Sequence, residues 1–135
     1  MKVLIDTCVI VDYLEEREGF EYAESILSMN TIEKCISAKS ILELYYLIHH
    51  FTHSNQKTFK AVRNIINIGD EVVDTAAQDI CNALSFKTSD YEDAVMIETA
   101  KRIGADIIVT DNIKDYRYSS VKVLTPKDFV RECSG

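Results

Sequence analysis

The order of short and long segments constrains this chain more than any single residue does. Five short apolar or β-branched runs, Lys2 to Asp6, Lys34 to Ser37, Glu71 to Asp74, Asp106 to Thr110 and Val121 to Leu124, alternate with longer stretches of helical periodicity. Helices are expected over Val9 to Glu16, Glu21 to Met29, Ser40 to Phe51, Asn55 to Ile68, Thr75 to Leu84, Asp90 to Ile103 and Pro126 to Cys133, where Pro126 suits a first helical turn. Antiparallel neighbours need only a tight hairpin, whereas crossovers of this length join parallel strands and lay their helices on the faces of the sheet. The expectation is an α/β fold with a parallel sheet between helices. With 135 residues, one Pro, four Gly and no repeat or low-complexity stretch, the chain reads as a single domain over residues 1–135.

Sheets of this type bind ligands beyond the carboxyl ends of their strands, where the strand order reverses. Asp6 stands at such an end, closing Val3-Leu4-Ile5, and Asp111 at another, after "IIV" and Thr110. If the first and fourth strands are neighbours, both acids face one crevice. Glu43 is the lone acid in "SILELYYLIHHF", a segment apolar around most of its circumference and so expected to be largely buried, although Ser40 and Glu43 also have capping-box spacing. Asp93 shares a helical stripe with Ile97, Ala100 and Gly104, expected to face the sheet, while Glu98 and Arg102 lie towards the other side. Asp90 has a local explanation, because acids suit the first turn of a helix, and Ser89 with Glu92 has capping-box spacing. Asp93 has none: a carboxylate on a buried stripe must be paired, hydrogen-bonded or bound to a cation. No basic residue adjoins Asp6, Glu43 or Asp93 as an evident counter-ion. Converging acids without a cation repel one another, and a hard divalent ion, which takes oxygen ligands, resolves the conflict.

A formal charge of -7 argues against non-specific binding of nucleic acid through a basic surface. It leaves room for a nucleic-acid enzyme whose acidic site meets phosphate through a divalent metal. Cys8, Cys35, Cys81 and Cys133 are far apart with no C-x-x-C, so reduced thiols are expected rather than a zinc ribbon or disulfide framework. The start does not read as a signal peptide and no run has the length of a membrane span, which makes a cytoplasmic protein without membrane contact the expectation.

Taken together, "LIDTCVIVDYL", the Glu in "SILELYYL", "SDYEDAVMIETAKRIGADIIVTDNIKDY" and "VKVLTPKDFV" resemble the PIN-domain family, especially VapC-type toxin nucleases of toxin–antitoxin pairs. The similarity spans nearly the whole chain, and its specificity lies in the order and spacing of short motifs. The resemblance implies a three-layer α/β/α PIN-like fold with a central parallel sheet of about five strands. It also implies a Mg2+- or Mn2+-dependent ribonuclease acting on RNA, a homodimer, and a cognate antitoxin protein as partner. By position, Asp6, Glu43 and Asp93 match the family acids that hold metal, Asp90 an extra acid of some members, and Thr7 and Thr110 hydroxyls beside the site. The fourth acid departs from the family pattern of Thr, any residue, Asp. Here Asn112 stands in the Asp place and Asp111 one residue early, so Asp111 is carried forward as the fourth catalytic and metal residue, with Asn112 and Asp115 as alternatives.

Other patterns have plainer readings. His49 and His53 share a helical spacing but lack a third ligand and an H-E-x-x-H glutamate, so an exposed helix end is expected. Tyr45, Tyr46, Tyr116 and Tyr118 are expected to pack rather than stack on bases. Phe20, Ala23, Ile26 and Leu27 form an apolar helix face that suits either core or a partner groove. A phosphoryl-accepting signalling domain is a rival through Asp74, Thr110 and Lys122, but it lacks paired acids after the first strand and leaves Glu43 and Asp93 unexplained. No nucleotide-binding glycine motif is present. A PIN fold with weak catalysis, used as a binding module, is the remaining alternative.

Overall fold

Val3, Leu4 and Ile5 are completely buried because their strand, β1 (Lys2–Ile5), lies in the middle of a five-stranded sheet. The structure is a computed structural model and describes residues 1–86 and 90–133. The other strands are β2 (Glu33–Ser37), β3 (Glu71–Val73), β4 (Ile107–Val109) and β5 (Lys122–Leu124). All pairings are parallel, in the order β3-β2-β1-β4-β5. The chain first builds outward through β2 and β3, then returns to add β4 on the other side of β1. The reversal therefore falls between β1 and β4, which are direct neighbours with Ile5 opposite Val109.

The helices are α1 (Thr7–Glu15), α2 (Phe20–Leu27), α3 (Ala38–Thr52), α4 (Asn55–Ile68), α5 (Ala77–Asn82), α6 (Tyr91–Ile103) and α7 (Pro126–Cys133). Two 3-10 turns, Ala83–Ser85 and Ile113–Tyr116, complete the described elements. Side chains alternate along each strand, so the sheet feeds two cores. Val3, Ile5, Ile36, Ile107 and Val109 meet Val9, Ile26, Leu44, Ile65 and Phe129 on one face. Leu4, Cys35, Val73 and Ile108 meet Met96, Ile97 and Ala100 of α6, with Tyr116, on the other. The result is a three-layer α/β/α fold. Ala23, Ile26 and Leu27 of α2 are core residues, not a partner groove.

Two local expectations change. The cap of α3 is Ser37, at φ −74° and ψ 151°, whose Oγ accepts from Ser40 N at 3.1 Å; Ser40 is already helical, so it forms no capping box with Glu43. β2 runs directly into this helix, and the hydroxyl at the extended residue takes the capping role. Nor is α3 largely buried: Leu42, Tyr46, Leu47 and Phe51 are exposed, and Ser40 and Leu44 are its buried residues. Continuous apolarity around a helix does not itself say how many sides are covered. On α6, Glu98 is buried and paired with Lys101 at 2.9 Å, because α5 and the turn after it cover that side. The cap of α6 is Asp90, which accepts from Asp93 N at 3.2 Å; the Ser89–Glu92 box lies outside the described residues.

Among the described residues no helix is long and apolar enough to cross a membrane. All four cysteines are free.

Candidate metal centre

Asp6 directly follows β1 and caps α1, and that junction fixes its carboxylate. Oδ1 accepts from Thr7 N at 2.8 Å. Oδ2 accepts from Thr110 Oγ1 at 2.8 Å, from Tyr116 OH at 3.2 Å and from Cys8 Sγ at 3.6 Å. Every donor is neutral. Asp6 is 6% exposed and held in one orientation, with no basic group among these donors.

Asp93 enters from the first turn of α6 and is 7% exposed. One oxygen each of Asp90, Asp93 and Asp115 lies within 4.8 Å of the others. Asp93 Oδ2 is fully buried without a hydrogen-bond partner among the described residues. Burial pushes the Asp93 carboxyl up to about 7, the charges of Asp6, Asp90 and Asp115 add to the rise, and the Tyr116 hydroxyl opposes it. Tyr116 itself is raised far above a phenol's ordinary value by burial and by Asp6 and Asp93, so it stays a proton donor. Burial and Asp6 likewise raise Cys8, which remains a thiol.

Asp6, Asp90 and Asp93 line a crevice of about 340 Å³ at the carboxyl end of the sheet, shared with Thr7, Glu43 and Asn112. Glu43, half-buried on α3, reaches it from the β2 side and forms an ion pair with Lys39 one turn earlier. Thr7 Oγ1 donates to Ser40 Oγ at 2.8 Å, and Ser37 Oγ donates to the same oxygen at 3.0 Å, so a hydroxyl chain ties the start of α1 to the start of α3. Thr110 receives Asn112 N at 3.1 Å, turning the loop after β4 back over Asp6.

The loop after β4 separates the three residues offered for the fourth position. Asn112 lines the crevice, and Asp115, on the 3-10 turn, stands with Asp90 and Asp93. Asp111 is exposed and borders a different cavity with Asp12, Tyr22 and Lys127. Burial and the hydrogen bond and charge of Asp111 push the Asp12 carboxyl up to about 7, so these two side chains act on one another. Residues that sequence reading passed over include Lys39, recognisable by its i,i+4 spacing to Glu43. Ser37 gave no signal, Ser40 was read only as a helix cap, and the Tyr116 hydroxyl was hidden inside an apparently ordinary loop aromatic. His53 is the exposed left-handed cap of α3, as an exposed helix end requires. Asp74, Thr110 and Lys122 do not converge: β2 and β1 separate the end of β3 from β4, and Lys122 pairs with Glu132 at 2.9 Å.

The family model for the PIN domain matches residues 2–114. The chain belongs to the PIN-domain family. Solved structures agree with that assignment in their fold. The chain superposes on FitAcB from Neisseria gonorrhoeae with a TM-score of 0.72 at 19% identity, covering 93% of this chain and 98% of that one. Against DNA-bound VapBC from Salmonella typhimurium the TM-score is 0.71 at 20% identity, with 93% and 98% covered. Against a toxin-antitoxin complex from Klebsiella pneumoniae it is 0.66 at 23% identity, with 92% and 97% covered. No curated protein sequence matches significantly. In this PIN domain, the orphaned Asp93 oxygen and the surrounding acids are positioned to bind a divalent cation.

Proposed function

We propose that this PIN domain is a Mg2+- or Mn2+-dependent endoribonuclease and the toxin of a toxin–antitoxin pair. The observation that carries the reading is Asp93 Oδ2, buried without a partner beside Asp90, Asp115 and Asp6. Leaving a carboxylate oxygen so placed is costly unless a cation satisfies it. Asp6, Glu43 and Asp93 are assigned as the principal ligands. Asp115 is assigned the fourth acidic place in preference to Asp111, on the strength of its proximity to Asp93.

When bound, a divalent ion supplies Lewis-acid stabilisation of the scissile phosphate and lowers the pKa of an attacking water. The protein's own contribution is orientation. Thr110, Tyr116 and the Thr7 amide hold Asp6 in place by neutral hydrogen bonds, and the Ser37–Ser40–Thr7 chain keeps α3, and with it Glu43, in register with β1. Asp93, with its raised pKa, gives up its proton as the centre is loaded. Water attack in line at phosphorus leaves a 3'-hydroxyl and a 5'-phosphate.

The partner assignments have separate support. An apolar groove of about 480 Å³ between α1, α3 and α4 shares Val11, Leu47 and Phe51 with the crevice, which suits an antitoxin segment covering the site. The neighbours' own descriptions are of VapBC, FitAcB and toxin-antitoxin complexes. Exposed Ile80, Leu84 and Tyr91 give a second apolar area for a homodimer. The test is cleavage of labelled single-stranded RNA by purified protein with Mg2+ or Mn2+, with EDTA as control. Cleavage undiminished in excess EDTA rules out the mechanism. Manganese binding without any cleavage favours the alternative, a binding module, for which Asn112 in the crevice lining is the supporting observation.

A further inference from the structure

Glu43 does not face the crevice with an uncompensated charge, because Lys39 pairs with it from the preceding turn of α3. Most such pairs are weak solvated contacts between long side chains. This one differs in its surroundings. The Lys39 and Glu43 side chains are 19% and 32% exposed, and both line the same crevice as Asp6, Asp90 and Asp93. Among the described residues lining it, Lys39 and Arg17 are the bases. Arg17 is tied at the rim to Glu15 at 2.7 Å and Asp12 at 3.9 Å, whereas the partner of Lys39 is one of the acids assigned to the metal. The Lys39 amide donates to Thr75 Oγ1 at 3.2 Å, which anchors the point where the side chain leaves the helix.

From this arrangement we propose that Lys39 is a displaceable counter-ion that exchanges the Glu43 carboxylate for a backbone phosphate of the RNA when the centre is loaded. The proposal rests on the metal-dependent nuclease reading above. A divalent ion at Glu43 neutralises that carboxylate and repels the ammonium beside it. The Lys39 head is a compact charge on a flexible stem, so it can move within the crevice without disturbing the helix. The phosphodiester brings a negative charge to the same space. Lys39 thus competes with the metal and assists the RNA, two effects of opposite sign that an ordinary helix-surface pair does not combine.

The test compares parent, Lys39→Met and Lys39→Arg. Calorimetry measures Mn2+ binding, and fluorescence anisotropy follows a 12-nucleotide single-stranded RNA in Ca2+ over a salt series. Lys39→Met is expected to bind Mn2+ at least about threefold more tightly, while the slope of log affinity against log salt for RNA falls by about 0.7, the value for one phosphate contact. Lys39→Arg should retain the parent slope. Unchanged or weaker Mn2+ binding in Lys39→Met, or a salt slope equal to the parent's, overturns the proposal while Mn2+ binding and RNA cleavage by the parent leave the nuclease reading standing. A parent that neither binds Mn2+ nor cleaves RNA overturns both.

Discussion

Thr110 Oγ1 donates to Asp6 Oδ2 at 2.8 Å, joining the ends of two adjacent strands whose residues are 104 positions apart in sequence. The bond aims a carboxylate without neutralising it. Thr110→Val keeps the shape and removes the donor. It should weaken Mn2+ binding about tenfold, as loss of a group orienting a ligand does, while costing about 1 kcal/mol of stability. Calorimetry and thermal melts check the two numbers separately. Equal Mn2+ affinity in parent and variant would show that the Tyr116 and Thr7 bonds suffice.

Asp93 predicts a pH dependence of unusual direction. Its folded pKa of about 7 stands above the unfolded value of about 3.9. The proton therefore favours the folded state: this contribution is complete below about pH 4 and is lost as the pH rises to about 7. Metal-free protein should lose stability across that window. Asp93→Asn removes its share of the slope, leaving that of Asp12, whose carboxyl is also raised to about 7, and should exceed the parent by on the order of 2 kcal/mol at pH 8. Urea midpoints in EDTA at several pH values measure this, and a parent profile that rises across the window contradicts it. Stabilisation by Mn2+ should grow across the same window, because the ion and the proton compete for one carboxylate.

The loop after β4 gives a ranking of variants. Asp115→Asn should reduce Mn2+ affinity about tenfold or more, whereas Asp111→Asn should leave it near the parent value. Asn112→Asp adds a carboxylate to the crevice lining and should tighten Mn2+ binding. Calorimetry on the three proteins decides the order; loss of binding in Asp111→Asn alone would mean that the loop turns over when the centre is loaded.

A structural acid provides the contrast. Asp79 is 1% exposed and accepts from Arg102 Nε at 3.0 Å, Thr99 Oγ1 at 3.0 Å and Ala76 N at 2.9 Å. Burial acts to raise its pKa, but Arg102 and these donors hold it below the usual carboxylate range. Its contribution is thus present above about pH 4 and is lost as the pH falls through the lowered value. Asp79→Asn should cost about 3 kcal/mol in thermal or urea unfolding and leave the Mn2+ affinity of the folded protein unchanged.

The alternation of strands and helices was legible because each element carries its own period. The approach of Asp6 to Asp93 was legible because one ends a buried strand and the other leads a buried helical stripe. Lys39 was equally visible as a residue four positions before Glu43, but adjacency in sequence was the wrong measure of a counter-ion on a helix. The exposure of Leu42, Tyr46 and Phe51 was not legible, since apolarity records what a surface prefers and not whether a neighbour covers it. The division of labour among Asp111, Asn112 and Asp115 depended on loop and 3-10 geometry, where no periodicity tells which way a side chain points.

The strand order also sets a timetable. Asp6 and Glu43 are made early, yet the hydroxyls that orient Asp6 belong to Thr110 and Tyr116, and the acid placed beside Asp93 is Asp115. Non-local pairing of this kind forms late, because the intervening chain must first exist and then close on β1. A chain broken off before Tyr116 keeps every acid of the site but lacks the hydroxyl that donates to Asp6 Oδ2 at 3.2 Å. Synthesis past that tyrosine is therefore needed to complete the set of hydrogen bonds that aims Asp6.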